Sequence, residues 1–221
     1  MNLARNNIMS SLCFILMIMS VFQAQAAFEG DVILIPEGCE AKQKCLLVLP
    51  VRFTDSSGLV WEAPSGLETD GASIPPFFRP ILGEPFQESY IKAALIHDHY
   101  CGKHVRDWFT TQKAFYEGLV DQGVPLATAK TLLYGVLLGG PKWFSTVSGI
   151  DCGKNCINNV VTNNLNPTVI FHESDYQLFD MTSEIKNIYH DLEFDPNKYT
   201  LEQIKDLALE RRQLHLQNLN Q

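Results

Sequence analysis

Positive charge is scarce in this chain: 17 Lys and Arg stand against 25 Asp and Glu, a formal net charge of −8 at pH 7. No segment carries a basic stripe, which argues against nucleic acid as a partner and against simple electrostatic capture by anionic membranes. Long apolar runs are missing beyond the first residues, so nothing later in the sequence reads as a bilayer span. Internal repeats and low-complexity stretches are absent as well, which excludes solenoid and array architectures. Cysteine is sparse, six in all, and no cysteine pair has zinc-ligand spacing followed by a histidine cluster.

What is present begins with a targeting signature. Arg5 supplies a positive n-region, Ile8 to Phe22 forms a short apolar run, and Ala24-Gln25-Ala26 reads as a small-x-small cleavage site. The expectation is a signal peptide over residues 1–26 and a mature protein that is periplasmic or secreted. An oxidising compartment makes disulfides the default for close cysteines. Cys39 with Cys45 and Cys152 with Cys156 are each near enough to close a small loop. Cys101 is left over and reads as a buried free thiol, with a catalytic thiol one helical turn after His97 as the sharper alternative.

The segment from Phe28 to Glu62 reads as strands: Val32 to Ile35, Leu46 to Phe53 and Leu59 to Trp61 are apolar and β-branched, and Asp55-Ser56-Ser57-Gly58 supplies a hairpin turn. Three helices follow. The first runs from Ser89 to Cys101 with Gly102 as its stop, and the second is capped by Thr110 or Thr111 with Phe115 and Leu119 on its inner stripe. The third opens at Pro125, ends at Gly139-Gly140-Pro141 and has so little polar face that it belongs at the centre of the core. Gly149 to Pro167 is a Cys/Asn-rich loop, and amphipathic segments Ser183 to Leu192 and Thr200 to Leu219 come after it. The resulting expectation is an α+β fold: a small N-terminal antiparallel sheet packed on a three-helix core, with a helical C-terminal extension. Residues 27–148 form the core domain and 149–221 the loop and extension.

Two segments carry the chemistry. Thr69 to Pro75 is an acidic turn around Asp70-Gly71, and Ala93 to Cys101 sets His97-Asp98 inside an apolar helix, where an unpaired charge is expensive. Consecutive helical residues point about 100° apart, so His97 and Asp98 each need a partner of their own. Ala93 leaves room beside the His97 ring. Asp70 and Asp98, with turn carbonyls, make an oxygen-rich set suited to Ca²⁺ rather than zinc. The plainer reading has Asp70 capping its own turn while His97 and Asp98 bond to backbone groups in the core. His99 and His104 read as solvent-facing, Trp61, Trp108 and Trp143 as packing, and the charges of the last helix, Arg211 and Arg212 among them, as a solvated face.

The stretch from about Leu46 to Phe144 resembles a bacterial and phage family known as domain of unknown function 1353, whose T-D-G-A-S-x-P turn and A-A-x-x-H-D helix match Thr69 to Pro75 and Ala93 to Asp98. That family brings no settled activity. A weaker similarity links the order of elements to the small secreted phospholipases A₂ of prokaryotes and fungi. These elements are Asp70, then His97-Asp98 with Tyr100 nearby, then Ala114-Phe115-Tyr116-Glu117, then an apolar helix ending in Gly139. The resemblance implies that His97 is a general base and that Asp98 and Asp70 hold Ca²⁺ against a lipid or ester substrate. Both families place an Asp three residues before the Phe of the second helix, where this chain has Gln112. Gln112, Phe115 and Leu119 share one helical face, so the Gln112 carbonyl is positioned to accept a proton from His97 without the charge of a carboxylate. Asp107 lies one turn earlier as an alternative orienting group. The expected function is an exported, calcium-assisted lipid or ester hydrolase weakened by Gln112. The alternative is a non-catalytic envelope or phage-derived interaction module that keeps the site as a structural metal or hydrogen-bond node.

Overall fold

The computed structural model describes residues 25–35, 45–69, 89–146, 168–176, 178 and 180–219. The targeting segment ahead of Gln25, Cys39, the turn from Asp70 to Pro75, and Cys152 with Cys156 lie outside the described residues. Cys45 is disulfide-bonded and its partner is outside them too.

The architecture is α+β. Strands β1 (Ala27–Glu29), β4 (Val51–Thr54) and β5 (Val60–Ala63) form one antiparallel sheet, in the order β1-β4-β5. A second sheet pairs β2 (Leu34–Ile35), β3 (Cys45–Leu47) and β6 (Glu68–Thr69). Alternation decides which way the first sheet faces. Val51, Phe53, Trp61 and Ala63 are fully buried, whereas Arg52 and Glu62, directly opposite each other, form an outward ion pair at 2.6 Å. The turn from Asp55 to Gly58 is as expected, and Asp55 holds it. Its carboxylate accepts from the Ser57 and Leu59 N–H groups, the Ser57 hydroxyl and the Trp61 indole N–H.

Leu46 to Phe53 is not one strand but two, β3 and β4, in different sheets. The break falls at residues 48–50, where Pro50 has no N–H to offer a ladder and the Val48 carbonyl accepts the Ser65 hydroxyl.

Helix α1 spans Ile91–Lys103, α2 Trp108–Asp121 and α3 Leu126–Gly139. α1 runs through Gly102 and stops at His104, which takes the left-handed conformation (φ 54°). α2 is capped by Asp107 rather than by Thr110 or Thr111, because the Asp107 carboxylate accepts from the Thr110 N–H and hydroxyl, both at 2.8 Å. One buried cluster packs the inner sheet face on Ile91, Leu95, Ile96 and Tyr100 of α1. The other wraps α3 with α2, α4 (Thr182–Phe194) and α5 (Leu201–Leu219). α3 is central to it: Ala129, Leu133, Leu137 and Leu138 are fully buried. Even Lys130 lies inside, its ammonium donating to the Pro196 and Tyr199 carbonyls of the α4–α5 turn.

Strands β7 (Lys142–Thr146) and β8 (Thr168–His172) pair antiparallel, a hairpin the sequence pattern did not announce. His104 is not solvent-facing. Its ring lies on Trp143 and Phe171, at 4.9 and 4.4 Å between centroids.

Burial pushes the Asp55 carboxyl up, but its four hydrogen bonds outweigh that and hold it below the usual carboxylate range. The stability it contributes is therefore present above the ordinary carboxylate pKa and lost as pH falls through the lower folded value. Asp55→Asn is expected to cost about 2 kcal/mol at pH 7, with the gap to the parent closing as pH falls through the lowered Asp55 pKa, as read by urea midpoints across pH.

Candidate functional site

The site forms where α1 and α2 cross. α1 has no side-chain cap of its own, and its Ala93 N–H is taken by the Gln122 side chain at 2.9 Å from just beyond α2. Gly118 makes the close approach possible. A Cβ there would stand 3.1 Å from both the Ala93 Cβ and the Phe28 ring. From that contact the antiparallel pair brings successive turns face to face. Ala93 meets Gly118, His97 stacks on Phe115 at 4.5 Å between centroids, and Cys101 comes 3.9 Å from the Gln112 amide nitrogen.

His97 is the hub. Its Nε2 lies 2.8 Å from Gln112 Oε1 and 3.3 Å from Cys101 Sγ. An amide oxygen only accepts, so Nε2 carries the proton and Nδ1 the lone pair of the neutral ring. Nδ1 faces Asp98 Oδ1 at 3.7 Å, too long for a direct hydrogen bond but close enough for its charge to be felt. Gln112 is fully buried, His97 is 11 % exposed at its side chain and Asp98 34 %. The cluster thus opens toward solvent on the Asp98 side. Burial alone would lower the His97 pKa, yet the Cys101 sulfur and the Asp98 carboxylate raise it well above the ordinary value.

Not every expected residue joins this cluster. Tyr100 turns to the sheet instead, edge-on to Trp61 at 4.8 Å, where its hydroxyl accepts the Glu62 N–H. Asp107 is committed to capping α2. Asp70 lies outside the described residues. Among the described residues no group of three His, Cys, Asp or Glu side chains is placed to hold a metal ion. Asp98 alone does not fit Ca²⁺, which takes about six to eight oxygens, so no chemical step below is routed through a cation.

Residues from the far end of the chain close the end of α3. Asp175 donates its N–H to the Gly139 carbonyl at 2.8 Å, Ser174 its hydroxyl to the same oxygen at 2.9 Å, and Arg212 donates to the Gly140 carbonyl at 3.0 Å. These donors satisfy carbonyls that the end of α3 leaves without helical partners. Arg212 also pairs with Asp175 and is 5 % exposed, so it is no part of a solvated face. The latch lays Tyr176 on Gly139, where a Cβ would stand 2.5 Å from the Tyr176 ring. Burial raises the Tyr176 phenol pKa, with Cys101 and Asp98 adding to the rise and Arg212 opposing it. Tyr176 thus feels the charges of Cys101 and Asp98 from its place over Gly139. Nothing in the sequence pattern marks it, because its neighbours are all distant in the chain.

Fold and site together define an α+β protein with an imidazole–amide–thiol cluster on a helix crossing. Residues 46–136, from β3 into α3 and including His97, Asp98, Cys101 and Gln112, match the family described as "Protein of unknown function (DUF1353)". The chain is 41% identical over 132 residues to "Uncharacterized protein y4iH" of Sinorhizobium fredii (strain NBRC 101917 / NGR234), covering 59% of this chain and 55% of that one. It is 43% identical over 91 residues to "Uncharacterized protein y4jT" of the same strain, covering 41% and 27%. The chain thus spans about half the length of the first relative and about a quarter of the second. No solved structure matches it.

A raised folded pKa means that the stability His97 contributes is complete below its unfolded pKa, about 6.5, and is lost as pH rises through the higher folded value. Urea midpoints of the parent are expected to fall across that window relative to those of His97→Gln, which lacks the titrating group.

Proposed function

We propose that this chain is an exported carboxylic-ester hydrolase in which His97 is the general base. The observation that carries the reading is the 2.8 Å contact of His97 Nε2 with Gln112 Oε1 at a fully buried amide. It leaves Nδ1 as the basic atom, on the more open side of the ring beside Asp98. A water hydrogen-bonded to Nδ1 gives up its proton there as its oxygen attacks the ester carbonyl; the Asp98 carboxylate stabilises the imidazolium, which returns the proton to the leaving alkoxide as the adduct collapses and the ester C–O bond breaks. Phe115 fixes the ring plane and Gln112 fixes the tautomer. Gln112 orients the ring without sharing its charge, which makes the proposed enzyme a slow one. Calcium held by Asp70 and Asp98 remains the sequence-based expectation, and the assay below reads it directly.

One observation favours a second reading. The group behind His97 is a neutral amide that also approaches a thiol, an arrangement suited to a rigid hydrogen-bond node in a non-catalytic interaction module.

The test is ester turnover by the folded protein on p-nitrophenyl esters and on phospholipid vesicles, with Ca²⁺ and with chelator. Turnover is expected to rise with pH through the raised His97 pKa and to vanish in His97→Gln. It is expected to increase about tenfold to a hundredfold in Gln112→Asp and to persist in Cys101→Ser. No turnover from a folded sample, or turnover indifferent to His97, overturns the hydrolase and leaves the node. Loss in Cys101→Ser moves the chemistry to the thiol.

A further inference from the structure

A cavity of about 1110 Å³ lies between β7, the segment after β8 and α5, with Tyr176 in its lining. Two cations from different elements line it, Lys142 of β7 and Arg212 of α5. Their situations differ. Arg212 is neutralised by Asp175 and spends a donor on the Gly140 carbonyl. The Lys142 ammonium has no carboxylate or carbonyl partner among the described residues. Its neighbours are the faces of Trp108 at 4.8 Å and Phe144 at 5.9 Å. Ring faces repay only part of the hydration that a half-buried ammonium gives up. Burial, then the nearby guanidinium, pull its pKa down to about 8, with Asp175 opposing. Lys142 is therefore largely charged at neutral pH and, among the described residues, short of a counter-ion. Four apolar side chains, Phe144, Leu178, Leu209 and Leu216, share the lining with polar groups that include His172 and Gln213, and Leu178 is half exposed. Glu173 and Asp175 are the acidic groups of the wall. Asp175 is spent on Arg212, and Glu173 is solvent-exposed.

We propose that this cavity binds an amphiphilic organic anion, its charged group at the Lys142 ammonium and its apolar body along Phe144, Leu178, Leu209 and Leu216. A neutral apolar ligand would leave the ammonium unpaired, and a small inorganic anion would leave the leucines wet. The site requires no turnover, so it stands whether or not His97 catalyses.

Isothermal titration of the full chain with decanoate at pH 7, beside decyltrimethylammonium of equal tail length, tests the site. Saturable decanoate binding is expected, at least tenfold weaker in Lys142→Gln, recovered in Lys142→Arg and unchanged in Lys113→Gln, a lysine outside the cavity lining. Leu178→Asp, at a half-exposed position that the fold tolerates, is expected to weaken it as much and decides the matter if Lys142→Gln does not fold. The inference is overturned by absence of saturable binding, by equal binding of the cationic amphiphile, or by decanoate affinity that neither Lys142→Gln nor Leu178→Asp reduces.

Discussion

The close crossing of α1 and α2 is the constraint on which the rest depends. Two small residues, Ala93 and Gly118, let the helices approach until a Cβ on Gly118 would stand 3.1 Å from its neighbours. That approach fixes the spacing of every later turn of the pair. With a larger residue at either position, His97 would lose Phe115 from one side and Gln112 from the other. Both ends of the crossing are held: Gln122 takes the Ala93 N–H in the first turn of α1, and Asp107 caps α2 opposite the end of α1. The sheet braces the pair from outside, with the Phe28 N–H donating to Asp121 and the Ser56 N–H and hydroxyl donating to Glu117.

A second constraint acts at the other end of the core. α3 ends in Gly139-Gly140, whose carbonyls are taken by Asp175, Ser174 and Arg212. A paired guanidinium buried this deeply is costly to break, because removing one partner leaves the other charge without compensation. It ties α5 and the segment after β8 to the helix end and holds Tyr176 over Gly139. The His97 cluster is built within residues 46–136, the stretch that matches the family model, whereas the groups that close the end of α3 lie beyond it. The two cavity cations are likewise outside residues 46–136.

Local signals carried much of the fold. The five helices among the described residues follow from the apolar period and from Gly and Pro punctuation, and the Asp55 turn from its composition. The face arithmetic that set Gln112 toward α1 needed only the helical repeat. What escaped depends on contacts between residues far apart in sequence. The pairing of β7 with β8 crosses more than twenty residues of intervening chain. Arg212 looks like any surface charge until Asp175 and the end of α3 surround it. His104 looks polar and exposed until Trp143 and Phe171 close on its ring. Tyr100 stands three residues from His97 and belongs to the sheet, because that step rotates it around α1 toward Trp61. The break at Pro50 was written in the sequence, and only the assignment of its two flanks to different sheets was not.

The account rests most directly on which nitrogen of His97 holds the proton in the neutral ring. Long-range ¹H–¹⁵N correlation spectra of the imidazole, recorded above its pKa, read this without reference to substrate. The Gln112 contact predicts the tautomer with Nε2 protonated and Nδ1 bare, and a drift toward a mixture of tautomers in Gln112→Ala. A neutral ring protonated at Nδ1 in the parent protein would contradict the account, since the atom assigned as base would then have no lone pair to offer.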